Sequence, residues 1–141
     1  MTKPSLLFDA SSILTLVREL RADATDKLLE GTTISLAYYE VGNALWRECF
    51  LLKRINKQEA EKLLSAMYAI IGEMEVTILK SEDEGNAILD AACKFNITFY
   101  DSSYLTQARM SKSTLVTDDK KLAATAQNAG IKTSSSKELI P

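Results

Sequence analysis

The chain contains no histidine. That absence removes Ser-His-Asp and Cys-His catalysis, histidine general bases and histidine-containing zinc sites. Chemistry has to run on carboxylates, hydroxyls, lysines or a bound metal. Cysteine is scarce: Cys49 and Cys93 both fall inside apolar helical patterns and are expected as buried small hydrophobes, not redox or metal groups. So far apart, they give no disulfide framework, which fits a reducing cytosol. Long apolar runs are missing. Residues 66–71 are far short of a membrane span, and the start, Met1-Thr2-Lys3-Pro4, leads into a run broken at Asp9, too short for a secretory signal. The expectation is a soluble, cytoplasmic protein with no membrane partner. A dominant charge is missing too, since the net charge is −2. No overall basic field announces nucleic acid, although a local basic patch can coexist with an acidic site.

What is present is ordinary globular material. A length of 141 residues, 46% apolar and 26% charged, predicts one domain over residues 1–141 with a real core. Its organising stretch is Leu6-Leu7-Phe8-Asp9-Ala10-Ser11. Three large apolar residues read as a strand buried on both faces, and the aspartate falls at its carboxyl end, where open α/β sheets keep their ligands. Capping of the next helix by Asp9 or Ser11 would leave the same pattern.

Residues 13–20 have helical spacing, with Arg18 and Arg21 on the outer side. A short helix over residues 24–29 stops at Gly31. Thr32-Thr33-Ile34-Ser35 predicts a second strand, and residues 37–53 a helix carrying Glu40, Asn43 and Arg47 on one face. A solvated face has that spacing as well. Asn56 and Glu59 resemble a capping box ahead of a helix over residues 57–74. Residues 76–79 are an edge strand or a connector, and Ser81 opens a helix that Asn96 closes. Ile97-Thr98-Phe99-Tyr100 predicts a third apolar strand, followed directly by Asp101. Residues 113–117 predict a fourth, ending in Asp118-Asp119 before a helix over residues 121–128. Gly130 ends that helix, residues 131–133 form a last short strand, and Ser134-Ser135-Ser136 a loop tail. The alternation argues an α/β sandwich with a mostly parallel sheet.

This order puts Asp9, Glu40, Asp101 and Asp118/Asp119 each just past a strand, on one edge of the sheet. Gathered carboxylates raise each other's pKa unless a cation intervenes. Hard oxygen ligands without histidine or cysteine select Mg²⁺ or Mn²⁺. Such an ion holds phosphate oxygens and acidifies an attacking water, so the chemistry expected is metal-dependent phosphodiester hydrolysis.

At these residues the sequence resembles the PIN-domain ribonucleases and, within them, the VapC-type toxins of toxin–antitoxin pairs. Phe8-Asp9-Ala10-Ser11 looks like the opening Asp-x-Ser motif, and Tyr39-Glu40-Val41-Gly42-Asn43-Ala44-Leu45 like the second. Tyr100-Asp101-Ser102-Ser103-Tyr104-Leu105 resembles the third, with Ser102 where alanine is common, and Val116-Thr117-Asp118-Asp119-Lys120-Lys121-Leu122 the fourth, Thr-x-Asp-x-x-Leu. The likeness covers residues 5–132. It implies a PIN-like α/β/α sandwich with a five-stranded, mostly parallel sheet and a Mg²⁺- or Mn²⁺-dependent endoribonuclease. Asp9, Glu40, Asp101 and Asp119 would be the catalytic and metal-binding acids. Ser11 would orient the metal shell, Asn43 brace Glu40 and Thr117 support Asp119, leaving Asp118 solvated or capping. The family also implies an RNA substrate, a cognate antitoxin protein and a homodimer. Arg18, Arg21, Arg47, Lys53, Arg54 and Lys57 can grip RNA phosphates, or serve solubility alone. Trp46, Tyr38 and Tyr39 can stack bases, fill an interface or pack in the core.

Rival readings fit less well. Haloacid-dehalogenase-like phosphotransferases need a second aspartate two residues after the first, where Ser11 stands, and receiver domains need paired acids at the first strand. A catalytically silent PIN-like module, binding RNA or protein by its surface alone, is the remaining alternative.

Overall fold

The computed structural model describes residues 5–20 and 22–140. Five strands form one parallel sheet: β1 (Leu6–Phe8), β2 (Thr32–Ile34), β3 (Glu75–Thr77), β4 (Thr114–Val116) and β5 (Thr133–Ser134). Their order is β3-β2-β1-β4-β5, with every pairing parallel. The chain therefore winds outward from β1 to β3, then returns to lay β4 on the other side of β1. This reversal opens a crevice between β1 and β4 at the carboxyl ends of the strands.

The central strands alternate their side chains between two cores. Phe8 and Val116 enter one with Ile13, Leu16, Val41, Met67 and Ile71. Leu7 and Leu115 enter the other with Tyr104, Leu105, Leu122 and Ala126. Leu7, Phe8, Leu115 and Val116 are all fully buried, as expected of strands covered on both faces. Helices α1 (Ala10–Leu20), α2 (Ala22–Leu29), α3 (Leu36–Trp46) and α4 (Lys57–Glu73) serve the first core, and α5 (Glu82–Phe95), α6 (Phe99–Ser111) and α7 (Lys120–Asn128) the second. A short α8 (Ser136–Leu139) returns to the first.

Most boundaries follow local chemistry. Asn56 and Glu59 do form the reciprocal capping box of α4, and Asn96 closes α5 in the left-handed conformation. Gly130 has φ of 80° after α7, the turn a glycine makes without strain. Gly31 ends α2 for another reason: a Cβ there would lie 2.7 Å from the Leu6 carbonyl oxygen and collide with the Phe8 ring.

Four expectations fail. Ile97-Thr98-Phe99-Tyr100 is not a strand. The Thr98 hydroxyl accepts from the Asp101 N–H at 3.0 Å and caps α6, so Phe99 and Tyr100 open a helix with their rings exposed. The long helix after β2 does not continue as α-helix to residue 53, because Arg47–Leu51 form a π-helical turn. Ser134-Ser135-Ser136 is no loop tail, since Ser134 completes β5 and Ser135 caps α8. Neither cysteine is a core residue: Cys93 is exposed and Cys49 only half-buried. No described helix is long and apolar enough to cross a membrane, and Met1-Thr2-Lys3-Pro4 lies outside the described residues.

Candidate active site

A parallel sheet points the amino ends of its following helices to one edge, and the acids collect there. Asp9 stands between β1 and α1, Glu40 in the second turn of α3, Asp101 in the first turn of α6, and Asp119 at the cap of α7. All four line one cleft of about 250 Å³ with Ala10, Ser11, Leu14, Ala44 and Tyr104. Asp101 arrives from a helix start rather than a strand end, so three strand ends, not four, supply the acids. The partial positive charge of the helix amino ends favours carboxylates here.

Asp9 is the anchored member. Only 5% exposed, it accepts at Oδ1 from the Ser11 hydroxyl and the Ser12 N–H, both at 2.9 Å. At Oδ2 it accepts from the Thr117 hydroxyl. Asp9 thus caps α1 and also faces the cleft, so the two readings of its position coexist. Burial pushes its carboxyl above the ordinary range, against the pull of the Thr117, Ser12 and Ser11 donors. Thr117 crosses the crevice between β4 and β1, and its oxygen also accepts from the Asp119 N–H at 3.1 Å. It therefore joins Asp9 to Asp119. Asp119 uses Oδ1 on the Lys121 and Leu122 N–H groups, at 2.9 and 3.1 Å.

Glu40 and Asp101 are held differently. Among the described residues, no donor reaches either carboxylate at hydrogen-bond distance and angle. Burial raises Glu40; the Tyr104 hydroxyl facing it pulls the other way, and the charges of Asp101 and Asp9 add to the rise. Burial also raises Asp101, reinforced by Asp119 and opposed by Lys121 and the Thr98 hydroxyl.

Asp118 turns away from the cleft. It accepts from the Ser136 N–H at 2.8 Å and the Ser136 hydroxyl at 2.7 Å, fastening α8 to the loop after β4. Asn43 is exposed and makes no hydrogen bond with Glu40. Arg18 forms a two-pronged ion pair with Glu48, which engages the guanidinium proposed for phosphate. Arg47 and Lys53 are exposed, the latter 5.8 Å above the Phe50 ring, and Arg21 lies outside the described residues. Trp46 stacks on Phe50 at 5.8 Å, Tyr39 is exposed, and Tyr38 packs against the core with its ring edge-on to Tyr68. Sequence reasoning missed Tyr104 as a cleft residue. Its signal is the three-residue spacing from Asp101, which puts both on one face of α6.

The donor set is oxygen only, which suits a hard divalent cation and not zinc. No three acids among the described residues stand close enough to enclose an ion by themselves. Mg²⁺ does not require that, since it typically takes one or two carboxylates and completes its shell with water and phosphate oxygens.

A doubly wound parallel sheet with a carboxylate cleft at its switch point is the architecture of a PIN domain. No family model matches the sequence, but individual relatives do. The exonuclease VapC9 of Pyrobaculum aerophilum is 35% identical over 96 residues, 68% of this chain and 67% of that protein. The ribonuclease VapC3 of the same organism is 30% identical over 128 residues, 84% of this chain and 92% of that one. The crystal structure of PAE2754 from Pyrobaculum aerophilum matches with a TM-score of 0.76 at 25% identity, covering 96% of this chain and 93% of its own. The chain belongs to the VapC family of PIN-domain proteins.

Proposed function

We propose that the protein is a Mg²⁺- or Mn²⁺-dependent endoribonuclease that hydrolyses RNA phosphodiester bonds, acting as the toxin of a type II toxin–antitoxin pair. The observation that carries this reading is the convergence of all four motif acids on one cleft. Asp9, Glu40, Asp101 and Asp119 are the residues that would hold the ion. Bound there, it would neutralise phosphate charge and lower the pKa of an attacking water. Asp9 and Asp119, tied through Thr117, form the fixed wall. Glu40 and Asp101, carried by α3 and α6, form the opposite wall. Arg47, Lys53, Arg54 and Lys57 remain exposed and open to RNA phosphates, whereas Arg18 is engaged by Glu48.

An apolar hollow of about 250 Å³ bordered by exposed Tyr39, Leu79, Tyr100 and Met110 supports the homodimer expectation. Light scattering at micromolar concentration should then give twice the 15.6 kDa chain mass. Pairing with an antitoxin rests on the family alone. The test of the activity is incubation with linear and circular RNAs in Mn²⁺, Mg²⁺ or EDTA, with mapping of the ends. Metal-dependent opening of the circle supports the endonuclease. Attack on the linear form alone would make it an exonuclease, as VapC9 is named, and no cation-dependent cleavage would favour the silent binding module.

A further inference from the structure

Tyr104 is 1% exposed, in the first turns of α6, and its hydroxyl meets no partner. It is the one such side-chain atom among the described residues. Buried hydroxyls almost always have partners, because one left unpaired forfeits its hydration and receives nothing in return. This one does not lack acceptors nearby: it lines the acid cleft beside Glu40 and Asp9, and burial, then the charge of Glu40 and after it that of Asp9, make its own proton harder to lose. Asp9 already receives three donors, whereas the Glu40 carboxylate receives none. An unused donor therefore faces an unused acceptor in the same cleft.

We infer that Tyr104 is a positioning residue for Glu40: its hydroxyl donates to the Glu40 carboxylate when a divalent cation fills the cleft, holding that carboxylate in the orientation the cation needs. This rests on the metal-dependent reading above. Until a cation binds, like charges on Asp101 and Asp9 repel Glu40. With it, the repulsion is offset and a charge-assisted bond to an ionised carboxylate is stronger than a neutral one. Groups that orient a ligand from behind typically change metal affinity by ten- to a hundredfold.

The test is Mn²⁺ titration of the melting temperature for wild type and Tyr104→Phe, beside melts of both in EDTA. The Mn²⁺ concentration for half-maximal stabilisation should rise about tenfold in Tyr104→Phe. In EDTA the variant should melt no lower than wild type, because the hydroxyl it loses had no partner. Superimposed titrations would overturn the inference. So would a Tyr104→Phe protein that melts several degrees lower in EDTA, which would assign the hydroxyl a purely structural bond. A wild type with no response to Mn²⁺ would overturn the metal reading and the inference with it, and is distinguishable because the failure then appears before any substitution. As a second variant, Tyr104→Leu should lose stability in both conditions through packing, and Mn²⁺ affinity no less than Tyr104→Phe does. A Leu variant of undiminished affinity would also overturn it.

Discussion

The two sides of the cleft are built on opposite principles. On the β1/β4 side, Asp9 is locked by the Ser11, Ser12 and Thr117 donors, and Asp119 is tied in through Thr117 and its cap to α7. On the α3/α6 side, Glu40 and Asp101 are placed by helix packing, with no hydrogen bonds on their carboxylates. The first pair belongs to the scaffold as much as to the site. The second is fixed by no such bonds, and burial of its charge raises both carboxyls, a standing cost that the helix amino ends offset only in part. A functional assignment is therefore best argued from Glu40 and Asp101, because a helix cap already accounts for part of Asp9.

Substitution should separate the two sides. Glu40→Gln and Asp101→Asn are expected to lower RNA cleavage by about 10²–10³-fold, in line with loss of a group stabilising transition-state charge. In EDTA neither should melt lower than wild type, and either melting several degrees lower would dissolve the contrast. Asp9→Ala should abolish cleavage too, yet cost about 1–3 kcal/mol in urea unfolding, since it removes a cap and orphans the buried Thr117 hydroxyl. Thr117→Val should cost about 1 kcal/mol and reduce cleavage less than loss of any acid.

A smaller effect is expected from pH. The folded state raises Asp9, Glu40 and Asp101 above ordinary values of 3.8, 4.5 and 3.8. It therefore binds protons that the unfolded chain releases. Their contribution is fully present below about pH 4 and lost as pH rises through the folded values. Glu48, lowered from 4.5 by its bond to Arg18, acts in reverse: its contribution is present above that value and lost as pH falls below it. In EDTA the melting temperature should accordingly peak at mildly acidic pH and decline towards neutrality, and Mn²⁺ should flatten the decline. A flat profile in EDTA would mean the acids do not oppose folding. Asp118→Asn should do least: cleavage within about twofold of wild type, with a stability loss of about 0.5–1 kcal/mol from the weakened Ser136 bonds. Damage as great as that from Asp119→Asn would reverse their roles.

Much of this was legible from spacing alone. Leu6-Leu7-Phe8 before Asp9, and the fourth strand before Asp118-Asp119, carry enough buried apolar character to declare central parallel strands. Residues 97–100 misled because β-prone side chains say nothing about the Thr98 hydroxyl, whose backbone bond starts a helix before a strand can form. Cys93 misled because apolar content does not give helix phase: Ala91 and Ala92 face inward, and the next position points out. The Asp118–Ser136 clasp spans 18 residues, and nothing in either segment announces the other. The fourth motif implies Thr117 only as support for Asp119, and its pairing with Asp9, 108 residues apart, has no signal in either segment.

That last separation carries a consequence in time. A ribosome adding about 5–20 residues per second makes Asp9 roughly 5 to 20 s before Thr117. Over that interval Asp9, Glu40 and Asp101 are successively synthesised, yet β4, one of the two strands that lie against β1, and the hydroxyl that fixes Asp9 do not exist. Local helices can form as the nascent chain emerges, whereas the central pairing must wait for β4. An unfinished copy thus carries most of the acids but no assembled cleft, and whatever chemistry the cleft performs begins only after the fourth strand has been made.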